Sequence, residues 1–223
     1  MRFQYVLRAA LFALPVLSIY VDHHDKRDTG NTPTPGNSST LPACNAVAGP
    51  CTCPPGSFYV HSTTYAFYPA AARDVTAICG NFFDISWFGI TVNRTEGPPN
   101  RPGSKRAAYE LPPDGKDKLL TQEQLTNYTR SRDGGFYYSY NSINNPLKYE
   151  KTDGTIGAVE GSWEFIDVKE ISPGWTSFIW NVHACLTDKW PLGPFHEHVM
   201  QNVTAILKQR KQLRGVTKGP ISI

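Results

Sequence analysis

The stretch from Gly103 to Ile143, GSKRAAYELPPDGKDKLLTQEQLTNYTRSRDGGFYYSYNSI, decides the fold. It reads as three consecutive strands joined by tight turns at Pro113-Asp114-Gly115 and Asp133-Gly134-Gly135. Asp-Gly and Gly-Gly between β-favouring runs mark hairpins, because such turns need residues that tolerate positive φ. Arg106, Glu123, Tyr138 and Tyr140 fall on alternate strand positions, so polar and aromatic groups are expected on one face. A curved antiparallel sheet with that face inward can line a cavity.

Working outward, Phe58 to Phe67 is a β-rich run ended by Pro69. Ala70 to Cys79 has helical propensity, with Val75, Ile78 and Cys79 sharing one face, and Gly80-Asn81 can end it. Phe82 to Phe88 is expected to form a second short helix stopped by Gly89. Ile90 to Arg94 restarts the sheet, and Gly97 to Gly103 is a Pro-rich loop. On the other side, Asn144-Asn145-Pro146 breaks the third strand and Lys148 to Ile156 reads as a polar connection. Val159 to Val168 is a further strand, and Pro173-Gly174 turns the chain into Trp175 to Leu186. There Phe178, Trp180 and Val182 alternate with Ile179, Asn181 and His183. From Phe195 to Arg214, Val199, Met200, Val203, Ile206, Leu207 and Leu213 gather on one stripe of a long amphipathic helix. The order predicts an α+β fold, a curved antiparallel sheet wrapped around a long C-terminal helix with two short helices after the first strand. Such a fold leaves room for a ligand between sheet and helix.

A chain of 223 residues does not demand two domains. A net charge of +3, with 18% charged residues and no long Lys/Arg run, argues against a nucleic-acid partner. The 12% aromatic content, densest in mid-chain, favours a β-rich body. At the N-terminus, Arg2 and Arg8 precede the apolar run Ala9 to Ser18, read as a signal peptide over 1–18; a short N-terminal helix is the alternative. The run is too short to span a bilayer, so no stable membrane insertion is expected after cleavage. Lys26-Arg27 resembles a dibasic propeptide site. A flexible Cys/Pro-rich leader is expected over 19–56, the folded domain over 57–214 and a tail over 215–223. Sequons at Asn37, Asn93, Asn127 and Asn202 support a secreted or secretory-lumen protein. Cys44, Cys51 and Cys53 crowd the leader; with Cys79 and Cys185 they allow two bridges and one free thiol, in a connectivity that sequence leaves open. The spacing C-x6-C-x-C lacks the paired knuckles of a zinc site.

Several motifs then occur in a familiar order: Pro102-Gly103-Ser104-Lys105-Arg106, Asp114-Gly115 with Leu119-Leu120, Glu123-Gln124-Leu125, Tyr138-Ser139-Tyr140, Gly161-Ser162-Trp163, and Trp180. In these the chain resembles the START-like superfamily, also called Bet v 1-like or polyketide cyclase/dehydrase, over roughly Phe58 to Leu213. The resemblance implies a helix-grip fold around a cavity. It departs in carrying a leader, sequons and cysteines, in matching a Pro-Leu-Pro turn only partly at Pro146-Leu147-Lys148, and in a longer connection to Gly161.

The resemblance and the parity together aim several sets at the cavity: Arg106, Ala108 and Glu110; Glu123, Leu125 and Asn127; Tyr138 and Tyr140; Val159, Gly161 and Trp163; Phe178 and Trp180. Asn127 conflicts with this, since a glycosylated side chain cannot point into a closed interior. Arg106, Glu123, Tyr138 and Tyr140 are the catalytic candidates. Arg can polarise a carbonyl, a desolvated Glu can act as general acid or base, and the tyrosines can donate to an oxyanion. The competing reading is a mutually satisfied Arg–Glu pair among packing tyrosines. Trp87, Ala108, Val159, Trp163, Phe178 and Trp180 are the expected ligand wall. His183 is expected at the surface by its parity, as are His196 and His198, and no metal or other cofactor is expected. The resemblance implies a cofactor-free cyclase or dehydratase acting on a small hydrophobic or aromatic molecule. A carrier or sensor that leaves its ligand unaltered, or an interaction protein with a filled interior, are the alternatives. The oligomeric state is not legible.

Overall fold

A computed structural model describes residues 42–223. The expected signal peptide, the Lys26-Arg27 site and the Asn37 sequon lie outside the described residues. The chain runs β1 (Phe58–Tyr68), α1 (Ala72–Cys79), a 3-10 turn (Ser86–Phe88), β2 (Val92–Glu96), β3 (Lys105–Glu110), β4 (Leu119–Arg130) and β5 (Phe136–Ser142). There follow β6 (Leu147–Glu150), β7 (Ile156–Ser172), β8 (Trp175–Leu186), α2 (Leu192–Gln209) and β9 (Lys218–Ser222). All strands join one antiparallel sheet in the order β2-β3-β4-β5-β7-β8-β1-β9, with β6 added beside β7. The sheet is curved, and α2 packs on it in a helix-grip arrangement.

Local chemistry explains the central meander. Asp114 adopts φ 57°, and the Gly115 N–H donates to the Pro112 carbonyl at 3.0 Å, closing the first hairpin. In the second, Gly134 takes φ 87° while Asp133 Oδ1 accepts from the Gly135 N–H at 3.0 Å. The expected helix over Phe82 to Phe88 shrinks to the 3-10 turn. Asn81 and Asp84 side chains accept backbone N–H groups of Phe83 and Ser86, both at 3.0 Å, and these local bonds compete with a helix. The polar connection after Pro146 holds β6, which pairs Leu147 to Glu150 with Val159 to Ile156. Residues expected as a tail supply β9, which pairs with β1 and approaches α2 where Gly193 meets Ser222.

The core lies between the sheet and α2. Val199, Met200, Val203 and Leu207 from the helix meet Tyr138, Ile166, Phe178 and Trp180 from the sheet, with Val75 and Cys79 from α1. Two β-bulges change the parity on which the sequence reading depended. In β4 the register shifts between Leu125 and Asn127, so Leu125 is buried while Asn127 is exposed and Tyr128 turns inward against the core. An extra residue in one strand inverts every side chain beyond it, which removes the conflict over Asn127. In β7 the register shifts between Val159 and Gly161. Val159 therefore faces inward, whereas Trp163 lies on the outer face over Gly161, whose absent Cβ would sit 2.4 Å from its ring. The inward positions beyond the bulge are Ser162 and Glu164.

The leader is fastened to the sheet by Cys53–Cys185 and closed on itself by Cys44–Cys51, leaving Cys79 buried and unbridged. It also buries the expected surface residue His183, which is 4% exposed. That side chain does lie on the outer face, but Gly49 of the leader packs against its ring and Tyr59 Oη pairs with Nδ1 at 2.5 Å.

Candidate functional site

A cavity of about 580 Å³ opens between β4, β5, β7 and β8, the first turn of α2, and the loops around Ile90 and Leu111–Asp114. Its walls divide by chemistry. One end is apolar, formed by Leu147, Val159, Val182, Ala184, Leu186 and Leu192. The other carries three carboxylates, Glu110, Glu123 and Glu164, among the rings of Phe88, Tyr140, Trp180 and Phe195.

Strand register builds the polar end. Arg106 on β3 sits directly opposite Glu123 on β4, and its Nε donates to Glu123 Oε2 at 2.5 Å. The guanidinium is buried, donates from Nη1 to the Phe82 carbonyl at 2.8 Å, and stacks over the Phe82 and Tyr140 rings at 4.4 and 4.9 Å. Burial alone would lower its pKa, but Glu123 beside it, with Tyr140 and Tyr138, holds it above its ordinary value. Tyr140 on β5 pairs with Glu164 on β7, and its hydroxyl donates to Glu164 Oε2 at 2.7 Å. Trp180 Nε1–H donates to the same oxygen at 2.9 Å. On the neighbouring strands β3 and β4, Thr121 Oγ1 donates to Glu110 Oε1 at 2.9 Å.

These surroundings change what the carboxyls can do. Glu110 and Glu164 are each pushed up to about 7, first by burial and then by repulsion from Glu123. Each therefore exchanges a proton near neutrality, the property required of a general acid or base. Tyr140 and Tyr138 are held above the ordinary phenol range by burial, so both stay protonated. His196 at the start of α2, expected at the surface, is 2% exposed and stacks on Trp180 at 3.9 Å. Burial lowers its pKa to about 3, which keeps the imidazole neutral. His198 is exposed, as its position suggested.

Of the four catalytic candidates, Glu123 and Tyr140 line the cavity, while Arg106 supports Glu123 from behind and Tyr138 belongs to the core. Of the expected wall, Val159 and Trp180 line the cavity; Trp87 and Phe178 are core residues, Ala108 is buried off the wall, and Trp163 is on the outer face. Glu164 was missed because the β7 bulge reverses its parity. Glu110 already shared the inward parity of Arg106, and that was the signal for it. Among sequons, Asn93 and Asn127 are exposed, whereas Asn202 is half-buried and donates Nδ2 to the Trp87 carbonyl at 3.1 Å.

A START domain family model matches residues 59–223. No curated protein matches the chain. Among solved structures, norcoclaurine synthase from Thalictrum flavum, in complex with dopamine and hydroxybenzaldehyde, aligns at 10% identity with a TM-score of 0.46, covering 69% of this chain and 89% of that one. Ara h 8.0201 aligns at 9% identity and TM-score 0.45 over 68% of this chain and 99% of its own. The Zhui aromatase/cyclase from Streptomyces sp. R1128 aligns at 8% identity and TM-score 0.40 over 69% and 87%.

Proposed function

The chain belongs to the START domain family, and on that premise we propose that its cavity takes up a small, ring-bearing, largely apolar molecule and cyclises or dehydrates it by acid–base chemistry of its own side chains. The observation that carries this reading is the placing of two carboxyls, Glu110 and Glu164, each pushed up to about 7, on the wall of one mostly apolar cavity. At neutral pH such a pair offers one ionised and one protonated member at once. For a β-hydroxy ketone, the ionised member removes the proton between the carbonyl and the hydroxyl-bearing carbon. The protonated member gives its proton to the departing hydroxyl, which leaves as water, and the C–O bond is replaced by C=C. The two carboxyls exchange roles and return to their starting states through solvent. Arg106 holds Glu123 in place by donating to its carboxylate, while Tyr140 orients Glu164.

Carriage without chemistry is the second reading, favoured by the extent of the apolar end, which exceeds what proton transfer requires. The two disulfides suit a secretory compartment, and no helix among the described residues is long and apolar enough to cross a membrane. We place the protein in the secretory lumen or outside the cell.

The test is native mass spectrometry of protein purified from its source, followed by incubation of the recovered ligand with wild type, Glu164→Gln and Glu110→Gln. Conversion by wild type alone supports the enzyme. Equal recovery of an unchanged ligand by all three proteins supports the carrier and sinks the catalytic assignment.

A further inference from the structure

Three of the four bridged cysteines come together more closely than two independent fasteners require. Cys44 Sγ lies 3.7 Å from Cys185 Sγ, although the two belong to different disulfides. The ligand atoms of Cys44, Cys51 and Cys185 all lie within 4.8 Å of one another, and Cys53 is bonded to Cys185. We propose that, once reduced, Cys44, Cys51, Cys53 and Cys185 form a tetrathiolate site for a single zinc-like divalent cation, so that metal can fasten the leader to the sheet in place of the bridges.

Geometry supports the assignment. With zinc–sulfur arms of about 2.3 Å, the edge of a tetrahedral thiolate site is roughly 3.8 Å. The contact between the two bridges already has that length. Forming the site requires that each bonded pair part after its bond is cut and that Cys53 swing toward Cys44 and Cys51, by rotation of short side chains and adjustment of the leader. Three of the ligands sit on a leader stretch without helix or strand, Cys44 to Cys53, which can adjust to the cation. The fourth, Cys185, stands on β8 and is fully buried, giving the site a rigid anchor. Cys44 is half-buried at the edge of the cluster, which leaves an entry path, and Cys51 is 2% exposed, which limits water around the sulfurs. The spacing within the leader offers no knuckle, so sequence alone argues against zinc; the fold supplies the missing ligand from 132 residues away.

The electron balance is simple. Each disulfide accepts two electrons from one dithiol, which closes to its own cyclic disulfide, and each bridge becomes two thiolates. Protons of the dithiol pass to solvent, and the cation binds the four thiolates. A disulfide oxidant reverses the exchange, one equivalent per bridge, and expels the metal.

The experiment uses the full chain, reduced with a dithiol, freed of reductant by anaerobic gel filtration and titrated with cobalt(II). Expected are the visible absorption of tetrahedral cobalt with thiolate-to-metal charge transfer, saturation at one cobalt per chain, displacement by zinc, and recovery of leader protection against proteolysis. The double variant Cys44→Ser/Cys51→Ser retains the Cys53–Cys185 bridge for folding; after the same reduction it should lose the tetrahedral spectrum. Cys79→Ser should keep it. Octahedral cobalt or no binding in the wild type would overturn the proposal. So would an unchanged spectrum in the double variant, or loss of sheet structure on reduction that cobalt does not restore.

Discussion

Replacing Glu164 by Gln should stabilise the protein in alkaline solution, and the cavity sets the size of the effect. The carboxyl ordinarily titrates at 4.5 and is pushed up to about 7 in the fold, first by burial and then by Glu123. A raised carboxyl pKa means that the folded protein keeps a proton which the unfolded chain has released. The associated stability is fully present below pH 4.5 and is lost as pH rises through about 7. At about 1.36 kcal/mol per pH unit, that interval amounts to on the order of 3 kcal/mol. Glutamine keeps the shape, and its carbonyl still accepts from Tyr140 and Trp180, so the variant escapes the penalty. With about 2–4 °C per kcal/mol for a chain of this size, Glu164→Gln should melt roughly 6–12 °C above wild type at pH 8. Near pH 4.5 the two should coincide. His183 and His196, lowered to about 4 and 3 by burial, with His61 adding to the effect at His183, act with the opposite sign. Their stability is lost as pH falls below 6.5, but in both proteins alike, so it cancels from the difference. Melting followed by circular dichroism from pH 4.5 to 8 gives that difference directly. A gap that does not vary with pH, or a variant less stable at pH 8, would refute the account of Glu164.

Other outcomes follow from the same packing. Arg106→Met strands Glu123 beside the cavity and should cost about 3–5 kcal/mol in urea unfolding; adding Glu123→Leu should restore much of it, and additive losses would show that the two do not act as a pair. Removing the Cys53–Cys185 bridge as Cys53→Ser/Cys185→Ala should destabilise by about 2–5 kcal/mol and free the leader to protease; an unchanged melting midpoint would contradict its role. Glycopeptide mass spectrometry of secreted protein should find glycan at exposed Asn93 and Asn127 but not at Asn202, whose amide is engaged with Trp87. Occupied Asn202 would mean that the contact forms after glycosylation or not at all.

Much of the fold was legible because it rests on local chemistry. Asp114-Gly115 and Asp133-Gly134-Gly135 permit positive φ, so both hairpins follow from residues a few positions apart. The stripe Val199, Met200, Val203 and Leu207 repeats with the helical period and does pack on the sheet. The extension of the sheet by β6 and β9 was not legible, since Leu147 to Glu150 and Lys218 to Ser222 are segments of four and five residues whose pairing depends on a waiting edge.

The site was half legible. Arg106 and Glu123 were expected on one inward face, with their pairing left as the competing reading, and register places them directly opposite each other. Glu164 was hidden, and Trp163 misplaced, by one extra residue at the β7 bulge. His183 shows the same lesson from outside the sheet. Its parity put it on the outer face, where it is; its burial depends on a leader segment more than a hundred positions away, tied down by Cys185.

Sequence by itself therefore determined the main strands, the two hairpin turns and the apolar face of the long helix, because each depends on spacing within one element or one turn. Only the tertiary structure decided which carboxylates share the cavity and which sulfurs touch. Those depend on where the sheet slips register and on what crosses its outer face, and both are settled by packing between elements distant in the chain.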